Sequence, residues 1–117
     1  MNEELRIYQE ERPWGNFRRF TDNLLSTVKI ITVNPNSELS LQSHMKRKEF
    51  WRVTRGDGIF EVDGQSLPVG VGSEQEVPIG IQHRMKAGPN GLEVLEIALG
   101  NFDEDDIIRY EDKYGRV

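Results

Sequence analysis

The chain has only two histidines, and each lies in a run of other potential ligands. The first run, LSLQSHMKRKEFW, spans Leu39 to Trp51 and holds Gln42, His44 and Glu49. It reads Gln-x-His-x4-Glu, with Gly56 beyond it. The second reads Gly72-x5-Pro78-x-Gly80-x2-His83. Imidazole nitrogens with carboxylate and amide oxygens suit zinc, manganese, iron or cobalt. One divalent metal ion is therefore expected on Gln42, His44, Glu49 and His83. Zinc is the first expectation, with manganese, cobalt or iron as alternatives. Four protein ligands leave one or two coordination positions for substrate oxygens.

Such a site needs strands to aim it. Residues two apart on a strand share a face, so Gln42 and His44 project together. A turn at Met45–Lys48 would bring Glu49, Trp51 and Val53 back on a returning strand. His83 must come from a distant strand, aimed by a Pro78-Ile79-Gly80 turn. The pattern predicts strands over 16–21, 26–33, 39–44, 49–55, 59–63, 73–77, 82–86 and 92–99. Gly56-Asp57-Gly58, Asp63-Gly64 and Gly70-Val71-Gly72 mark turns between them. Short strands at this spacing predict an antiparallel sandwich or barrel. Residues 1–11 read as an N-terminal extension. Residues 103–113 read as a short helix, with Asp103 as N-cap and Glu104, Asp105 and Asp106 favouring its first-turn dipole. Trp14, Phe17 and Phe20 read as packing residues, with Trp14 able to roof a pocket.

Composition narrows the function classes. A chain of 117 residues fits one domain with one core. The absence of cysteine removes disulfides, thiolate metal sites and cysteine nucleophiles, and fits a cytoplasmic setting. The start is acidic and lacks an apolar run, so no signal peptide is expected. No segment reaches the ~20 apolar residues that span a bilayer. A net charge of −5 argues against nucleic acid or anionic lipid as a partner. An anionic small molecule would need a local cluster of cations.

With these residues placed, the chain resembles the C-terminal cupin domain of type II phosphomannose isomerases, the mannose-6-phosphate isomerase/mannose-1-phosphate guanylyltransferase family. The likeness runs from Arg12-Pro13-Trp14-Gly15 through the run from Val28 to Pro35 to the ligand runs, and ends in the segment Glu104–Arg116. It implies an all-β, single-domain cupin, a double-stranded β-helix or jelly-roll barrel. It also implies a mononuclear metal on Gln42, His44, Glu49 and His83, isomerisation of mannose 6-phosphate to fructose 6-phosphate, and a catalytic role for Arg47. By analogy with small cupins a homodimer is expected. These residues contain no glycine-rich nucleotide loop, so guanylyltransferase activity is not expected of them. Phe50 stands where the family usually has histidine, Asn36 where it has a turn glycine, and Ala98 where glutamine is common.

Isomerisation moves a proton between C1 and C2 of the open-chain sugar, which requires a base within reach. With both histidines assigned as ligands, Lys86 and Glu96 are the candidates. Phosphate favours the planar fork of arginine. Arg84, Arg109 and Arg116 are the candidate substrate-binding residues, with Lys46 and Lys48 as weaker additions. Three functions stay open: a phosphosugar isomerase, a metallocupin that binds a sugar or sugar phosphate without turnover, and a metal-dependent cupin enzyme of another class.

Overall fold

The computed structural model describes residues 7–116. Nine strands follow in order: β1 Tyr8–Arg12, β2 Gly15–Arg19, β3 Ser26–Val33, β4 Leu41–Ser43, β5 Arg47–Val62, β6 Gln65–Gly70, β7 Glu74–Val77, β8 His83–Gly100 and β9 Ile108–Glu111. Every pairing among them is antiparallel. The all-β expectation therefore holds. No helix of the described residues is long and apolar enough to cross a membrane.

Two long strands organise the molecule, where the sequence predicted four short ones. β5 runs through Gly56-Asp57-Gly58 without reversing, and its register against β8 shifts at Val53/Arg55 and at Gly56/Gly58. The glycines serve a bend rather than a hairpin. A Cβ at Gly56 would run into the Gly91 carbonyl, and one at Gly58 into the Lys86 carbonyl. Side-chain-free positions thus let the two strands bend together at close range. Beyond the bend each strand changes partners. The first half of β5 pairs with β7 and the end of β8, and the second half pairs with β6 and the start of β8. β3 joins the end of β8, while β4 joins its start at Gln42↔His83.

Alternation along these strands makes two apolar layers. Trp51, Val53, Phe60, Val62, Val77, Met85, Leu92 and Val94 face inward with Val33 to form the barrel core. Trp51 meets Phe60 edge-on, with ring centroids 4.8 Å apart. Phe50, Ile97 and Leu99 face outward and are covered by Ile7, Phe20 and Leu24. The β1–β2 hairpin is fastened to this outer face, because Arg18 and Arg52 both bind the Glu74 carboxylate. β1 falls largely within the segment read from sequence as an extension. Trp14, at the hairpin tip, is exposed.

The helix expected over 103–113 does not form. Asp103 does cap, but only a single turn: its Oδ1 accepts from Asp105 N at 3.0 Å and its carbonyl from Asp106 N at 3.0 Å. The Asp106 carboxylate then accepts the backbone N–H groups of Met45 and Lys46, both at 2.9 Å. That anchor lays the next residues beside β4, where Ile108, Arg109 and Glu111 pair with Ser43, Gln42 and Leu41. Paired β-branched and aromatic residues favour a strand, and tertiary pairing overrides the cap signal.

Candidate metal centre

His44, Glu49 and His83 come from the end of β4, the start of β5 and the start of β8, and one ligand atom of each lies within 4.8 Å of the others. All three are buried. The Pro78-Ile79-Gly80 turn is present, and Gly80 N donates to the His44 carbonyl at 2.8 Å. The turn that leads to His83 is thereby fixed to the other histidine.

Both rings are oriented by main-chain carbonyls. His44 Nδ1 lies 2.7 Å from Asp106 O, and His83 Nδ1 lies 2.8 Å from Ile81 O. A carbonyl can only accept, so each Nδ1 carries the proton and each Nε2 presents a lone pair. Burial holds both imidazoles below their ordinary pKa, against the opposing pull of Glu49 and the carbonyl bonds. Neutral rings then turn their Nε2 lone pairs toward Glu49, whose oxygens lie 3.5 Å from each. Acceptor faces acceptor with no proton between them. His83 Nε2 is buried and has no hydrogen-bond partner among the described residues. A cation resolves that conflict, so this donor set fits a divalent metal.

Three N–H donors steady the group. Trp51 Nε1 donates to Glu49 Oε1 at 3.0 Å, and Arg47 Nε donates to Glu49 Oε2 at 3.1 Å. Arg47 Nη2 lies 3.1 Å from His44 Nε2. Arg47 therefore starts β5 as a buried residue, 7% exposed, not on a solvated turn. Its neighbour Lys46 does face solvent, where it meets Asp103 at 3.3 Å. Gln42 stands opposite His83 in register, and its Oε1 accepts from Ser40 Oγ at 3.4 Å.

The other candidates separate. Glu96 lies opposite Trp51 on the inner face and is buried. Burial, with a contribution from Glu49, pushes its carboxyl up to about 7. Lys86 and Arg84 alternate with Met85 and His83, so they leave from the other face. There Lys86 binds Glu61 at 2.7 Å, and Arg84 is shared among Glu61, Glu38 and Glu111 at 2.7, 3.0 and 2.9 Å. Neither is brought to the metal centre. Arg116 is exposed and closes on Asp112 within its own segment at 2.7 Å. Arg109 pairs with Gln42 across β4–β9, and its buried Nε has no partner among the described residues.

Three residues escaped the sequence reading. Asp106 ties the C-terminal segment to His44, and nothing but an acidic run marked it. Lys29 lies opposite Glu96 on β3, and Phe102 lies between Lys29 and Arg47. A lone cation in the β-branched run STVKIITV, two residues from Thr27 and Ile31, was the available signal for Lys29. The family departures also find their places. Phe50 points outward against Phe20, with centroids 5.4 Å apart, so it does not touch the metal centre. Asn36 keeps a positive φ of 57°, which asparagine tolerates. Ala98 lies buried opposite Glu49.

A bent antiparallel barrel with an inward His–Glu–His group defines a cupin. A cupin protein from Bacteroides fragilis shares this fold at a TM-score of 0.60 and 15% identity, over 69% of this chain and 74% of that one. Pac13 from Streptomyces, a nucleoside dehydratase, matches at a TM-score of 0.64 and 14% identity, over 96% and 93% of the two chains. At such identities the likeness concerns the fold alone. The chain belongs to the mannose-6-phosphate isomerase C-terminal family, whose model matches residues 2–112. A mannose-1-phosphate guanylyltransferase of Escherichia coli K12 is 35% identical over 117 residues, covering 97% of this chain. This chain spans 24% of that relative's length.

Proposed function

We propose that this domain is a metal-dependent aldose–ketose isomerase acting on a phosphosugar, with mannose 6-phosphate and fructose 6-phosphate as its substrate pair. The observation that carries the reading is the convergence of two neutral Nε2 lone pairs on the Glu49 carboxylate within 4.8 Å. Membership of the isomerase family supports the reaction class. His44, Glu49 and His83 would hold the ion, with Gln42 as the fourth ligand. Zinc is the proposed metal, with manganese, cobalt or iron as the alternatives. When bound, the ion supplies Lewis-acid polarisation of the sugar oxygens at C1 and C2.

The chain's own residues do the rest. Trp51 and Arg47 hold Glu49 in place by their N–H groups. Glu96, buried beside Glu49 and ordinarily near half-protonated at neutral pH, takes the proton from one carbon and returns it to the other. Its carboxyl needs no partner of opposite charge to reach that state, because burial sets it. Arg47 donates to the oxygen that gains negative charge. Arg109, paired with Gln42 across β4–β9 and carrying a buried Nε, would bind the sugar. The reaction is proposed to take place in the cytoplasm.

The test is a coupled assay for fructose 6-phosphate with metal-reconstituted protein. Turnover that depends on added metal and on Glu96 supports the reading. No conversion with zinc, manganese, cobalt or iron, despite bound metal, would leave the second reading: a metallocupin that binds a sugar phosphate without turnover. One observation favours that alternative, the buried Ala98 opposite Glu49.

A further inference from the structure

Arg109 is a half-buried arginine that the fold leaves without an acid. The other described arginines close on carboxylates or, like Arg55, face solvent. Arg109 does neither. It forms no ion pair among the described residues, and its Nε is buried with no hydrogen-bond partner among them. The chain carries 20 acidic side chains against 15 basic ones, so this isolation is not for want of carboxylates. A buried N–H without an acceptor costs free energy until something supplies one.

Strand register fixes where that donor lies. Gln42 is opposite His83 on β8 and opposite Arg109 on β9, so the three form one row across β8, β4 and β9. Directly opposed residues share a face, and His83 marks this face as the one that carries the metal centre. The next pair alternates as it should: Ser43 and Tyr110 turn to the opposite face, where their hydroxyls meet at 2.9 Å. Neighbouring strands lie about 4.8 Å apart, which puts the Arg109 backbone roughly 10 Å from that of His83. The row therefore has a reacting end and a far end. The carbons that exchange a proton must lie against His44, Glu49 and His83. A phosphate on one of those carbons would stop two strands short of Arg109. A phosphate at the other end of an open-chain hexose would extend past Gln42 to β9. There the Nε–H and one Nη–H of Arg109 form a fork that matches two phosphate oxygens.

We propose that Arg109 binds the substrate phosphate, and that its place at the end of the His83–Gln42–Arg109 row selects a sugar phosphorylated at the carbon farthest from the reacting pair. This rests on the phosphosugar reading and adds to it the position of the phosphate and the residue that reads it. Arg84 and Arg116 take no part, since each is already closed on carboxylates of its own.

Calorimetry on the full, metal-reconstituted chain tests the proposal with fructose 6-phosphate, fructose 1-phosphate and fructose. The two phosphates carry the same charge on the same sugar and differ only in position. Wild type should bind fructose 6-phosphate at least ~10-fold more tightly than either of the others. Arg109→Met should erase that preference by weakening fructose 6-phosphate alone, with metal content and circular dichroism unchanged. Arg109→Lys keeps the charge without the fork and should recover part of it. Arg55→Met removes the same charge at an exposed site and should leave all three affinities unchanged. Equal wild-type affinity for the two phosphates, or an unchanged preference in Arg109→Met, would overturn the proposal. If Arg109→Met lost metal or fold, the Arg109→Lys ratio would decide, and a value equal to wild type would overturn the fork. Failure of the isomerase reading looks different: an Arg109-dependent preference for fructose 6-phosphate with no mannose 6-phosphate formed under zinc, manganese, cobalt or iron.

Discussion

A buried imidazole whose Nδ1 proton is committed to a carbonyl has one function left for its Nε2. For His83 that atom has no protein partner among the described residues, so a bound cation would offset the ring's cost of burial. His83→Ala should therefore lower bound metal at least ~10-fold, while the barrel still folds. Elemental analysis beside circular dichroism decides it, and full metal content in the variant would remove His83 from the site. Glu96 gives a second test at this scale. Its folded-state pKa, about 7, lies above the ordinary carboxylate value, so between roughly pH 4.5 and 7 the folded chain holds more protons than the unfolded one. Stability from this group is then lost as pH rises through that window. In metal-stripped protein, Glu96→Gln should gain on wild type by roughly 1–3 kcal/mol between pH 5 and pH 8. Denaturant melts at the two pH values measure the difference, and a constant difference would mean that Glu96 is not desolvated.

At the scale of elements, the decisive contact is the one that replaced the expected helix. Asp106 holds Met45 and Lys46 by its carboxylate and His44 by its carbonyl. Asp106→Ala keeps the carbonyl but frees it from its anchor. Metal affinity should fall ~10-fold with the fold intact, as outer-shell losses do. Competition with a chromophoric chelator would show it, and unchanged affinity would make Asp106 a surface turn residue only. The convergence of His44 and Glu49 was legible because they are close in sequence and strand alternation fixes their face. Asp106 and Phe102 were not, since their roles depend on where the segment after β8 lands. The same limit applies to Gly56 and Gly58. A glycine that permits a turn and one that permits two strands to bend in contact look alike until the partner carbonyls of Gly91 and Lys86 are in place. Arg84 and Lys86 were misplaced for a simpler reason: alternation from His83 already assigns them to the other face.

For the molecule as a whole, the outer face of β3 is the surface that the fold leaves bare. Val28 and Ile30 project from it at 59% and 67% exposure, with Leu25 just before the strand at 64%. β3 pairs on one side only, with β8, among the described residues. A one-sided strand with an apolar outer row suits pairing with a second copy, and the homodimer is proposed to form there. Ile30→Glu should convert the dimer to a folded monomer in sedimentation equilibrium. A wild-type monomer at tens of micromolar, or a variant that still dimerises, would place the interface elsewhere or nowhere. His44 and Asp106 are 62 residues apart in the chain, yet the ring of one is aimed by the carbonyl of the other. Synthesis delivers His44 and Glu49 early, His83 later and Asp106 near the end. A nascent chain halted before residue 106 would hold all the ligands without the carbonyl that fixes the His44 tautomer. Tight metal uptake is therefore a late event in folding, and closing so long a loop makes it a slow one.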